Sequence, residues 1–196
     1  MEDETVPSGY SPVEYIQGDG NSYIDTGVVP QGNEVFNVNF TSKTAPSGYT
    51  VLFGTRDAVA VTDTKNAWLG FDASKFFVRF GTIVPSETIP VSQNTEYNAT
   101  VSLPGDRLMI NGTSYSFYGS NVSGITRSIY LGAMNSGSPL GGGGTVAYKK
   151  FYITREGSTL FNGIPVRRNS DSKCGMYDTV SKTFFGSATG TAFTCP

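Results

Sequence analysis

Turn-forming residues recur about every 8–12 positions from one end of the chain to the other, and the segments between them are short and rich in Val, Ile, Phe and Tyr. That spacing leaves no room for helices, and it suits strands of about five or six residues. "EVFNVNF" shows the pattern most clearly: Phe36, Val38 and Phe40 fall on one face, and Asn37 and Asn39 on the other. "YTVLFG" is a more continuous apolar run, followed by "DAVAVTD", "NAWLGFD" and "KFFVRFG", each bounded by Gly, Asp or Pro. Asn111-Gly112 is a dipeptide favoured by two-residue type I′ hairpins, because both central residues take positive φ. Pro104-Gly105-Asp106, Glu156-Gly157 and the residues around Ser181 mark further turns. No amphipathic helix emerges, and no internal repeat or linker interrupts the pattern. A chain of 196 residues is the length of one all-β sandwich or jelly roll. Residues 1–12 read as an acidic arm and residues 13–196 as the domain.

Several kinds of chemistry are excluded at this point. Histidine is absent, which removes the usual general base of serine and cysteine hydrolases and the commonest ligand of catalytic zinc. Glycosidases need two carboxylates about 5–9.5 Å apart across the scissile bond. The Glu-x-Asp-x-x-Glu strand pattern that supplies them in β-sandwich glucanases is missing, so no enzyme is expected. The net charge is −2 and the basic residues are scattered, which argues against nucleic acid. No apolar run is long enough to cross a bilayer as a helix, and "MEDETVPSGY" lacks the build of a signal peptide.

Three features invite a ligand. "EYIQGDGNSYIDTG" packs Asp19 and Asp25 among glycines, and calcium is the ion such a loop would take. Its spacing misses the EF-hand pattern, however, and it reads better as strand, turn and strand, with Asp19 the weak metal candidate and no cofactor expected. Asp25 would share the inward face if Tyr23 points inward, and would face solvent if Ile24 does. "NSGSPLGGGG" precedes Lys149-Lys150 without the Gly-Lys-Ser/Thr of a phosphate loop, and reads as a long surface loop. Cys174 and Cys195 could close a loop of about twenty residues or remain two separate thiols.

With the strands laid out, the chain resembles the concanavalin A-like, laminin-G-like jelly rolls of gut-bacterial surface proteins and phage structural proteins. The resemblance is carried by "VEYIQGDGNSYIDTG", "VLFGTRD", "IYLGAMNSGSP" and "KKFYITREGSTLFNGIPVRRNSDSKCGMYDTVSKTFFGSATGTAF", in that order. The cysteines and the acidic arm depart from the usual pattern. The resemblance implies two antiparallel sheets with the first and last strands as neighbours, no enzymatic activity, and glycan binding or attachment in those members that bind anything.

The residues add one geometric inference. In "NAWLGFD", Ala67, Leu69 and Phe71 suit the core and leave Trp68 opposite; in "KFFVRFG", Phe76, Val78 and Phe80 leave Phe77 and Arg79 opposite. If these strands pair, Trp68, Phe77 and Arg79 cluster on a non-core face. That cluster would serve either as a sugar platform or as a contact with another subunit. The resemblance, with a start that lacks the build of a signal peptide, implies a non-enzymatic virion surface protein of a phage, on capsid or tail. It would be in contact with other virion proteins and copies of itself, and attached to host or mucus glycans. The alternative expectation is an extracellular carbohydrate-binding module of a bacterial cell surface, whose leader precedes Met1.

Overall fold

The computed structural model describes residues 6–46, 48–57, 63–73, 75–82, 88–116, 121–142 and 144–196. The beginning of the acidic arm and most of the expected "DAVAVTD" strand lie outside the described residues. In chain order the strands are β1 (Tyr10–Pro12), β2 (Ile16–Gly18), β3 (Ile24–Asp25), β4 (Glu34–Ser42), β5 (Tyr49–Arg56) and β6 (Asn66–Asp72). Next come β7 (Lys75–Phe80), β8 (Glu96–Ser102), β9 (Arg107–Ile110), β10 (Thr113–Ser116), β11 (Tyr130–Leu131) and β12 (Met134–Asn135). The remainder are β13 (Pro139–Leu140), β14 (Val146–Arg155), β15 (Ser158–Arg168), β16 (Cys174–Asp178) and β17 (Thr183–Phe185). Among the described residues there is no helix.

The strands form two sheets, the two-sheet sandwich expected from the sequence. The larger runs β10-β9-β8-β4-β14-β15-β16-β17, with β1 on β15 and β2 on β14; the smaller runs β13-β12-β5-β11-β3, with β6 on β5 and β7 on β6. Pairing is antiparallel except where β12 lies parallel to β5. The expected hairpins form, with Asn111 and Gly112 at φ 49° and 84° and Glu156 and Gly157 at φ 50° and 80°. Facing aromatic rings fill the space between the sheets. Phe36 and Phe151 from the larger sheet meet Phe53 of the smaller at 5.3 and 5.2 Å between ring centroids.

Two residues inserted out of step keep this core apolar. On β14, Val146 and Tyr148 face the core, and so do Phe151 and Ile153, so the parity changes between them. Tyr148 pairs with Phe40 and Lys150 with Asn39, which leaves Lys149 as the extra residue of a β-bulge. In unbroken alternation from Tyr148, Lys150 would point into the interior and Phe151 out of it. Lys149 itself turns outward to Glu96 at 2.7 Å and Glu14 at 3.1 Å, tying three segments of the larger sheet together. On β5, Val51 pairs with Gly70 and Phe53 with Leu69, so Leu52 is extra. Leu52 and Phe53 both enter the core, whereas Val51 belongs to a cluster on the outer face. This is why "YTVLFG" reads as a continuous apolar run.

The stretch "NSGSPLGGGG" is not the free surface loop expected from its composition. It contains the β12–β13 hairpin and then packs backbone against backbone. A Cβ on Gly141 would lie 1.8 Å from Gly20 O, and one on Gly142 would lie 2.4 Å from Thr50 Cα. Gly141 and Gly142 are there because no side chain fits.

The two ends of the chain meet on the larger sheet, but not as the neighbouring first and last strands that the resemblance implies: β1 pairs with β15 and β17 with β16. Gln17 and Thr194 exchange backbone hydrogen bonds of 2.7 and 3.0 Å, and Cys174 on β16 is disulfide-bonded to Cys195 with Cα atoms 5.9 Å apart. The last three residues assigned to the arm form β1, and Tyr10 packs with Tyr177 and Phe184 over Ile164 and Val166 on the outer face.

Two stability predictions follow from the bulge and the disulfide. Deleting Tyr152, which stands in regular alternation between the core residues Phe151 and Ile153, should put the end of β14 out of phase and abolish cooperative thermal unfolding, whereas deleting the spare Lys149 should not. Lys149→Ala, which removes only exposed ion pairs, should cost about 1 kcal/mol or less; similar melts for the two deletions by circular dichroism would overturn the phase argument. Cys195→Ser should cost about 3 kcal/mol, or roughly 6–12 °C in Tm, and make the melt insensitive to reductant.

Candidate functional site

The bulge at Leu52 decides what stands on the outer face of the smaller sheet. Before it, Tyr49 and Val51 point outward; after it, Gly54 and Arg56 do. Next along the sheet, the outward residues of β6 are Asn66, Trp68, Gly70 and Asp72, and those of β7 are Lys75, Phe77 and Arg79. The register sets Trp68 beside Arg79, Gly70 beside Phe77 and Asp72 beside Lys75. The pairing assumed in the sequence reading therefore forms, and Trp68, Phe77 and Arg79 do come together on one non-core face.

Their arrangement differs from an open indole platform. Trp68 is only 4% exposed: its ring lies flat on Phe77, with centroids 4.9 Å apart and planes 14° apart, and beneath Tyr49 at 5.5 Å. The exposed ring is Tyr49, at 43%, and it also meets Phe77 at 5.7 Å. Gly54 permits this packing, since a Cβ there would lie 2.0 Å from Trp68 Cβ. Across from the rings, the β12–β13 hairpin supplies Met134, Leu140 and Gly141 as a second wall. Between the walls runs a groove of about 540 Å³, within the range of small-ligand sites.

Two guanidiniums and an amide complete the lining. Arg79 is largely buried, with its guanidinium carbon 5.5 Å from the centre of the Phe77 ring. Arg56 is half-buried and pairs in register with Asn66. Asn66 is fully buried: its Nδ2 donates to Asp63 O at 2.8 Å, while Oδ1 has no hydrogen-bond partner among the described residues. The Tyr49 hydroxyl is shifted upward in pKa, first by burial and further by Asp72, with Arg79 and Arg56 opposing. Sequence reading missed Tyr49, Arg56, Met134 and Leu140. The first two were hidden by the bulge, and the other two by a hairpin whose glycines looked like a free loop.

Arg56 is held from behind. Arg127 Nη1 donates to Arg56 O at 3.1 Å and pairs with Asp57, which also accepts from the Thr126 amide and, at 2.8 Å, from the Thr126 hydroxyl. Burial raises the Asp57 carboxyl, but the Thr126 and Arg127 donors outweigh it and hold the group below the usual carboxylate range.

The Asp19 stretch serves structure. Asp19 accepts from the Asn21 amide at 3.0 Å, and that bond leads the causes that lower its pKa. Ile24 is the inward residue of β3, so Asp25 turns away from the core and accepts from Ser128 Oγ at 2.6 Å. The two aspartates are thus engaged separately. Among the described residues no group of three or more His, Cys, Asp or Glu could hold a metal ion.

No protein-family model matches the chain, and no curated protein matches it. Among solved structures it is similar to the CBM40 module of the Ruminococcus gnavus IT-sialidase, solved bound to α2,3-sialyllactose. Identity is 12%, the match covers 72% of this chain and 89% of the other, and the TM-score is 0.45. At that score the likeness carries no argument. The fold rests on the strand pairing, and the site on its own side chains.

The Asp57 clamp predicts a pH dependence. Because its folded pKa lies below the unfolded one, its contribution is complete above about pH 4 and is lost as pH falls through the folded value. Asp57→Asn should lower Tm at neutral pH and flatten the decline in stability below about pH 4. Parallel pH profiles for variant and wild type would show that this carboxylate is not the group responsible.

Proposed function

We propose that the chain is a non-enzymatic glycan-binding module that works outside the cell, at a bacterial surface, and that the outer-face groove is its binding site. The groove carries this reading. Tyr49 and Phe77 offer ring faces to the apolar side of a pyranose, and the guanidiniums beside them offer planar, paired donors to its oxygens. Catalysis is disfavoured because, among the described residues, no Asp or Glu lines the groove and Asp72, on the same sheet face, is set against Lys75. Two opposed carboxylates, the requirement for glycoside hydrolysis, are missing from that lining.

The disulfide favours export over the virion role expected from the sequence. Such bonds form and persist in oxidising surroundings, whereas a particle protein assembled in a reducing cytosol would gain one only after release. The same aromatic surface would suit a subunit contact, so the test has to separate the two uses.

Tyr49 is the residue to change, because it is exposed and its loss leaves the core intact. On a glycan array followed by calorimetry, Tyr49→Ala should weaken binding about tenfold or more, the effect of removing a central aromatic contact, with Tm unchanged. Undiminished glycan binding in that variant, or a change confined to sedimentation behaviour, would remove the groove from the function.

A further inference from the structure

We infer that the saccharide seated in this groove is anionic, carrying a carboxylate or sulfate that lies against Arg56 and Arg79. The inference rests on the glycan reading and narrows it to a substrate class.

The lining is unequal in charge and in hydrogen-bonding character. Among the described residues it holds two arginines and no acid, in a chain whose net charge is −2, so the local positive charge is not a sample of a generally basic surface. The nearest acid on that sheet face, Asp72, has Lys75 across the strand from it. The side-chain acceptors are few. Asn66 Oδ1 is sealed at 0% residue exposure, which leaves the Tyr49 hydroxyl, itself also a donor, as the side-chain oxygen within reach of a ligand. A neutral sugar presents hydroxyls that both give and accept, and the lining side chains answer the accepting half better than the giving half. An acidic sugar presents oxygens that only accept, which matches a fork of guanidinium N–H groups.

The supports of the two arginines point the same way. Arg79 is placed by its register with Trp68 and by its contact with the Phe77 ring, and Arg56 by the Arg127–Asp57 clamp on its backbone. The Arg79 charge is thus held against the ring platform and the Arg56 side chain starts from a braced backbone beside it, so an anionic group attached to a pyranose stacked on Tyr49 and Phe77 has cations next to it. Since the charges are partly shielded, their attraction is less screened by salt than that of a surface lysine, though still measurably so.

The test uses the full chain and three matched oligosaccharides: one ending in glucuronic acid, one in glucose, and one in a sulfated glucose. By calorimetry the glucuronate or sulfate ligand should bind at least about tenfold more tightly than the glucose ligand, and whichever of the two wins identifies the anion. The advantage should shrink as sodium chloride is raised. In Arg56→Gln the ratio of the two affinities should fall to about threefold or less, whatever the change in affinity for the glucose ligand itself. Arg79→Gln is a second variant, used only if its melt shows that it folds. Equal affinity for all three sugars in the wild type, or an advantage that survives Arg56→Gln and high salt, overturns the inference and leaves the glycan reading standing. Binding of none of the three nor of any array glycan overturns both.

Discussion

Everything in this structure depends on keeping the two-residue period of each strand in phase with the single buried face of its sheet. A strand that slips by one residue exchanges its entire core face for its solvent face, and a long strand has many chances to drift. Here the phase is restored in two places by one extra residue. Lys149 lets β14 deliver Tyr148 and then Phe151 to the same interior, and Leu52 lets β5 deliver Leu52 and Phe53 together. The aromatic core that joins the sheets, with Phe53 in contact with both Phe36 and Phe151, exists only because both corrections are made.

The correction in β5 does more than preserve the core. By reversing parity between Val51 and Gly54 it brings Arg56 out beside the rings, when strict alternation from Tyr49 would have turned it in. Bulges are over-represented next to functional sites for this kind of reason: they re-aim a side chain without moving the strand. Gly54 and Gly70 make room for the resulting crowd, one against Trp68 and the other against the backbone of Thr50. Trp68 is thereby changed from a platform into a support, lying under Tyr49 and flat against Phe77.

Much of this was legible before any coordinates. Alternation in "EVFNVNF", "NAWLGFD" and "KFFVRFG" is strict, so β4, β6 and β7 and the meeting of Trp68, Phe77 and Arg79 could be read directly. Asn111-Gly112 and Glu156-Gly157 carry their turn geometry in their identity. What could not be read was anything that depends on a register shift or on distant backbone. "YTVLFG" and "VAYKKFYI" look irregular in sequence because the extra residue has no chemical mark of its own. The run at Gly141 looks like slack, because the atoms that forbid a side chain there belong to Gly20 and Thr50, far away along the chain. The disulfide was one of two open outcomes for the same reason, as only the fold brings Cys174 to Cys195.

The meeting of the two ends of the chain has a geometric consequence. Tyr10–Pro12, Gln17 and Thr194 all belong to the larger sheet, whereas the groove opens on the far side of the smaller one, with the thickness of the sandwich between them. Anything attached at either end would sit behind the module, and the arginine-flanked rings would face away from it. A tether joined at either end would thus leave the mouth of the groove unobstructed.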